Sequence, residues 1–322
     1  MNRRDVLKSG VVGAGALLLS GVRAQNADAP STMARAARGY LEALGPKRAS
    51  GGLPLSSATR TAWHWFPPTL YTEREGVTLS EMTVAQRTAA LELLRVSTSE
   101  TGYAKAQAIM ATQRDLGRDP LEYHFTVFGD PTGNTWAWAL EGHHLSLNYA
   151  VGNGRVTVAP IFLGASPTYQ NNARRAVMRR EEEAARELMR SLDANRRDKA
   201  IFDSDTPGDT VTRNATRVQP LAAVGIPVSE LSSAQTALLL EVVTQYLSVL
   251  PPALAATRLE AVRASWHKPD FGWAGSLEPR KIHYYRLQGQ SFLLEHDNSR
   301  ESGAHIHSVW REFENDFGAG VL

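Results

Sequence analysis

Between Leu121 and Leu163 apolar residues alternate with other residues, and turn formers return at regular intervals. They are Gly129-Asp130-Pro131-Thr132-Gly133-Asn134, then Glu141-Gly142, then Gly152-Asn153-Gly154. Alternation puts successive side chains on opposite faces of a strand, and the turns are short enough for hairpins, so the segment predicts about four antiparallel strands. Helical periods surround it: a capped amphipathic helix over Ser31–Leu44 stopped by Gly45-Pro46, then Thr83–Ser97, Thr101–Leu116, Asn172–Asp203, Ser229–Ser248 and Ala253–Ser265. Trp63, Trp65 and Phe66 read as a short buried strand, and Pro207–Pro227 as a loop-rich connection. Strands return at Ile282–Gln288 and Ser291–Asp297, joined by a tight Gly289-Gln290 turn, and at Ala304–Trp310. Helices, strands, helices, strands in blocks predict an α+β fold, antiparallel sheet flanked by helices, in one large domain.

The chain opens Asn2-Arg3-Arg4-Asp5-Val6-Leu7-Lys8, followed by a mildly hydrophobic stretch from Val11 to Val22 that is too short to span a bilayer. This is the form of a twin-arginine export signal, with small residues Val22 and Ala24 before a cleavage point at Gln25. The expectation is a signal peptide over residues 1–24 and a mature domain over 25–322. The partner would be the twin-arginine machinery, the location periplasmic or extracellular, with no stable membrane anchor after cleavage. Removing residues 1–24 takes away Arg3, Arg4, Lys8 and Arg23 but only Asp5, leaving 31 basic and 32 acidic residues. The basic character of the whole chain therefore belongs largely to the signal, and no nucleic-acid partner is expected.

Cysteine is absent, which excludes disulfides, thiolate metal sites and a cysteine nucleophile. Any metal must be held by His, Asp or Glu. There is no G-x-S-x-G elbow, H-E-x-x-H helix, phosphate-binding G-x-x-x-x-G-K or dinucleotide G-x-G-x-x-G. Seven of the nine histidines, His124, His143, His144, His283, His296, His305 and His307, fall in the expected strands.

In His305-Ile306-His307 the two imidazoles share one strand face, at a spacing from which both can reach one ion, with Ile306 turned to the core. Glu295 and Asp297 have the same spacing on the preceding strand. A set of His305, His307 and Glu295 would suit zinc, iron, manganese or copper. In Glu141-Gly142-His143-His144-Leu145-Ser146-Leu147-Asn148, alternation places His144, Ser146 and Asn148 on one face and His143 with the leucines on the other. Tyr284 and Arg286 of His283-Tyr284-Tyr285-Arg286 are candidates for binding an anionic or sugar-like substrate. Trp136 and Trp138 share a face and read as core, and Arg311 and Asp316 as an ion pair.

Glu141 to Ser146, Phe162-Leu163-Gly164-Ala165 before Pro167, Tyr284-Tyr285-Arg286, and His305 to Arg311 with Asn315-Asp316-Phe317-Gly318 together resemble the family called domain of unknown function 3500, over nearly all of the mature chain. The resemblance implies no activity. It marks His144, Glu295, Asp297, His305, His307, Arg311 and Asp316 as site candidates and removes His296, whose position looks aromatic in other members. Relatives are also expected to continue past Asp316-Phe317-Gly318.

The functional expectation is a metal-dependent hydrolase. His305, His307 and Glu295 would hold the ion, Asp297 or His144 would move protons, Arg311 or Arg286 would position an anionic group, and Tyr284 and Asn148 would contact a small-molecule substrate. A non-catalytic periplasmic binding protein and a metal-dependent oxidoreductase are the competing readings.

Overall fold

The computed structural model of the chain describes residues 29–168, 177–266 and 270–322. The export signal expected over residues 1–24 lies outside them, as do residues 172–176 of the helix expected from Asn172. After a first helix, α1 (29–44), come α2 (Arg48–Gly51), β1 (Gly52–Leu53), β2 (Val77–Thr78), α3 (Val84–Ser97) and α4 (Glu100–Thr112). The expected four-strand block follows as β3 (Tyr123–Gly129), β4 (Thr135–Gly142), β5 (Leu145–Gly152) and β6 (Arg155–Ala165). Then come α5 (Arg179–Ser191), α6 (Ala194–Ala200), β7 (Ile201–Asp203), β8 (Ile226–Pro227), α7 (Ser233–Leu247) and α8 (Pro252–Ala264). The chain closes with β9 (Asp270–Gly275), β10 (His283–Gln288), β11 (Phe292–Arg300) and β12 (His305–Glu312).

Three local expectations change. Trp63 to Phe66 form no strand; their backbone is pinned by side chains instead, as described below. The helix expected to run to Asp203 breaks after Ser191 because Asp193 caps a new one, accepting from Arg196 N, and the chain then turns into β7. The first hairpin turn after β4 is His143-His144, one step beyond the Glu141-Gly142 turn read from sequence.

All twelve strands join one open sheet, with the path β1-β3-β4-β5-β6-β12-β11-β10-β9-β7, β2 on β3 and β8 on β9. Pairing is antiparallel except for β1 with β3 and β7 with β9. The two strand blocks meet where β12 pairs with β6, Ile306 opposite Ala165 and His307 opposite Gly164. The architecture is α+β in a single domain.

The two faces of the sheet differ. On one, Phe125, Leu140, Leu147, Ile161, Leu294, Ile306 and Trp310 pack with residues of α1, α3, α4, α5 and α7 into the main core. Facing residues along β12 continue the period-2 rule, so His305, His307, Val309 and Arg311 point to the opposite side. Among the described residues no α-helix contributes to the apolar cluster on that side. The long connections around Trp63–Phe66 and Asp209–Ala215 lie over it, and Trp63, Trp65, Phe162, Val309 and Phe317 form its own small core. Among the described residues no helix is long and apolar enough to cross a membrane.

Candidate metal centre

His144, His305 and His307 meet on the loop-covered face, one ring nitrogen from each lying within 4.8 Å of the other two. His305 Nε2 is 2.9 Å from His144 Nε2 and 3.0 Å from His307 Nε2. These two separations put the nitrogens close enough for one ion to be reached at metal–nitrogen distances of about 2.1 Å. His305 and His307 come from β12. His144 reaches them from the β4–β5 turn, with the left-handed φ of +66° that a tight hairpin turn demands. Its backbone is tied on both sides: His144 N donates to Trp65 O at 3.1 Å and Gly164 N to His144 O at 2.8 Å. Gly164 makes room for the ring, since a Cβ there would lie 3.3 Å from His144 Cδ2 and 2.7 Å from Ile306 O.

The distal nitrogens decide the tautomers. His307 Nδ1–H donates to Asp209 Oδ1 at 2.8 Å and His305 Nδ1–H to Glu301 Oε1 at 3.0 Å. Burial alone would raise the Asp209 carboxyl, but the His307 bond, the Thr210 N–H and Arg300 hold it below its ordinary value. Glu301 is likewise held down against partial burial by Ser166 and His305. With carboxylates on both Nδ1 atoms, the Nε2 atoms of His305 and His307 carry bare lone pairs that face each other. A neutral His144 can donate to only one of them. Protonating His305 or His144 does not relieve the clash at neutral pH, because burial, then the neighbouring histidines, lower His305 to about 4 and His144 well below the usual imidazole value. A cation at the centre satisfies all three, and carboxylate–histidine–metal chains of this kind are how such ligands are oriented.

His144 Nδ1 is buried without a partner among the described residues. Its ring is stacked on His143 instead, with centroids 3.7 Å apart. His143 is held by Gln113 and Arg118 through Nδ1 and is not part of the cluster. Trp65, stacked on Phe162 at 4.2 Å, sets its edge on His307. The segment carrying Trp65 is clamped by Arg74, which donates to Glu141 Oε1 at 2.8 Å, to His64 O at 2.9 Å and to Phe66 O at 2.6 Å. Only His305 of the three opens to solvent, its side chain 13% exposed.

The remaining candidates are placed as follows. Glu295 is not in the cluster. It sits on β11 opposite Val309, fully buried, with every lone pair taken: Oε1 accepts from Val211 N at 2.5 Å and Tyr284 OH at 2.9 Å, Oε2 from Thr212 N at 3.1 Å and from the Thr212 hydroxyl. A carboxylate so occupied has nothing left for an ion. Asp297, directly opposite His307 across the β11–β12 pair, accepts from Ser299 N at 3.0 Å and from the Ser299 hydroxyl. Burial, with a smaller push from Asp209, raises its carboxyl. Tyr284 is spent on Glu295, Arg286 on Ala222 O, and Asn148 on Ser146 Oγ and Pro160 O. Arg311 is a buried structural group. It binds Asp316 Oδ2 at 2.7 Å and Ala215 O at 2.7 Å, with its guanidinium 5.3 Å from the Trp63 ring centroid. His296 is buried on the opposite, helix-facing side, stacked on Tyr285.

The sequence matches the family described as "Protein of unknown function (DUF3500)" over residues 26–319. The chain belongs to this family. The DUF3500 match takes in all three histidines together with Asp209, Glu301 and the Arg311–Asp316 pair. No curated protein matches the chain, and no solved structure matches it.

Asp209 and Glu301 were not among the residues singled out from sequence. Asp209 lies 98 positions from His307 in an irregular connection, where no periodicity points anywhere. Glu301 left a signal: it precedes His305 by four residues with Gly303 between, the spacing of a single tight turn.

Proposed function

We propose that this DUF3500 protein is a metal-dependent hydrolase of a small-molecule substrate, its ion held by His144, His305 and His307. The observation that carries the reading is the pair of imidazoles whose Nδ1 atoms are fixed by Asp209 and Glu301 while their Nε2 atoms converge within 3.0 Å. Three neutral ligands would leave the charge of an ion held there uncompensated and would leave room for water, the combination that lowers the pKa of a water so held. Asp297, beside His307 and with its carboxyl raised by burial, suits the role of proton acceptor from that water. The half-buried aromatic group of His64, Phe66 and Tyr71, their rings within 5.0 Å of the His64 ring, offers a small substrate an apolar contact.

We also propose export through the twin-arginine route, on the strength of Arg3-Arg4 and the mild apolar stretch after them. One experiment tests both parts. The chain, expressed with its own N-terminus, is recovered from the periplasm and assayed for hydrolysis of ester, amide and phosphoester panels after stripping and reloading with Zn, Mn, Fe or Cu. Metal-restored hydrolysis is expected, with Arg3→Lys and Arg4→Lys together keeping the protein in the cytoplasm. Activity that survives stripping, or export without the arginine pair, contradicts the respective part.

A further inference from the structure

We propose that Glu295 is a positioning residue of the metal centre, acting through the Asp209–Thr212 segment on His307; this rests on the metal reading above. Glu295 anchors the middle of this irregular connection where it crosses the sheet face: its carboxylate accepts from Val211 N, Thr212 N and the Thr212 hydroxyl, and β10 supports it through Tyr284 OH, while Arg311 holds the stretch that follows through Ala215 O. Two residues earlier, Asp209 Oδ1 receives His307 Nδ1–H at 2.8 Å and its other oxygen is bound by Arg300 at 2.9 Å. The segment has no strand or helix to fix it; Arg300 holds Gly208 O and Asp209 on one side, and Glu295 holds residues 211 and 212 on the other. The chain of contacts therefore runs from Glu295 to Val211 and Thr212, to Asp209, to the His307 ring, and ends at the Nε2 that faces the other two histidines. Glu295 touches neither ion nor substrate in this scheme.

The role differs from that of a direct ligand, and a double-mutant cycle separates the two. Metal affinity is measured with Zn²⁺ and Co²⁺ for the full chain, Glu295→Gln, Asp209→Asn and the combined variant. Losing an outer-layer carboxylate weakens binding roughly 10- to 100-fold. Glu295→Gln is expected to weaken binding about tenfold, and to add less than about twofold once Asp209 is already Asn, because both act through one link. Losses that multiply in the double variant, or a Co²⁺ absorption spectrum showing a lost oxygen ligand in Glu295→Gln alone, overturn the proposal. A second readout does not depend on metal: in ¹⁵N-histidine-labelled protein, the His307 Nδ1–H proton is expected to be protected from solvent exchange and to lose that protection in Glu295→Gln. Unchanged protection overturns the proposal even if the protein binds no metal, an outcome that would separately sink the hydrolase reading. Should Glu295→Gln fold poorly, Thr212→Val removes a single donor from the same link, and a loss of about threefold in the same direction is expected; no loss counts against the proposal.

Discussion

At the scale of residues, the three histidines differ in what holds them, and this sets the order of their effects. His305 and His307 each have a carboxylate on Nδ1, whereas His144 is oriented by its turn and by the His143 stack. Asp209→Asn keeps the shape but removes the charge that fixes His307, so metal affinity is expected to fall roughly 10- to 100-fold with little change in fold. His305→Ala removes a ligand and is expected to abolish stoichiometric binding; isothermal titration with Zn²⁺ distinguishes the two. Equal affinities for Asp209→Asn and the unaltered chain would show that His307 is oriented by something else. The sequence pointed to His305 and His307 through their i, i+2 spacing, which is a local property of one strand. It offered Glu295 as their carboxylate partner because neighbouring strands bring such residues close. What it could not show was that Val211, Thr212 and Tyr284 saturate that carboxylate, since these contacts arise 11 to 84 residues away in the chain.

At the scale of elements, the centre depends on the seam between the two strand blocks, where β12 lies on β6. His307 stands opposite Gly164, and the missing side chain there is the space into which the β4–β5 turn lowers His144. Gly164→Ala puts a methyl against the His144 ring and the Ile306 carbonyl, and is expected to cost about 1–3 kcal/mol of stability. It should also reduce metal affinity, read together with thermal unfolding; intact metal binding at full stability would refute this account of the glycine. The four strands of the β3–β6 block were legible because alternation and turn residues are written locally. The pairing of β12 with β6 was not, since nothing within either strand names a partner roughly 140 residues distant. Nor did alternation alone place His144: it predicted the correct face from the wrong element, a strand position where the chain forms a turn.

At the scale of the whole molecule, helices cover one sheet face and irregular connections the other, so the polar machinery sits where backbone can be shaped around it. Burial depresses many imidazoles together: His64, His124, His283 and His305 to about 4 and His143 to about 3. Unfolded histidines take protons near 6.5, so between pH 6.5 and 4 the unfolded chain binds more protons than the folded one. Their contribution to stability is fully present above 6.5 and is lost as pH falls through the folded values. Glu141, raised to about 7 by burial despite Arg74, works in the opposite sense, as do Asp297, Glu312, Asp316 and Asp270, each raised by burial; against these five stand seven lowered imidazoles once His144 and His296 are included. The urea midpoint of the metal-free protein is therefore expected to drop as pH is lowered from 6.5 to 4, and a flat or rising midpoint would contradict the buried neutral state of these rings.

Whether three converging imidazoles with carboxylate-fixed partners are a metal centre is decided by elemental analysis of the natively folded protein purified without chelators or affinity metals. Close to one transition-metal ion per chain is expected, falling to background in a variant with His305 and His307 both changed to Ala that keeps the native circular-dichroism spectrum. Protein that carries no metal as isolated, and takes up none when offered Zn, Mn, Fe or Cu in excess, would contradict it.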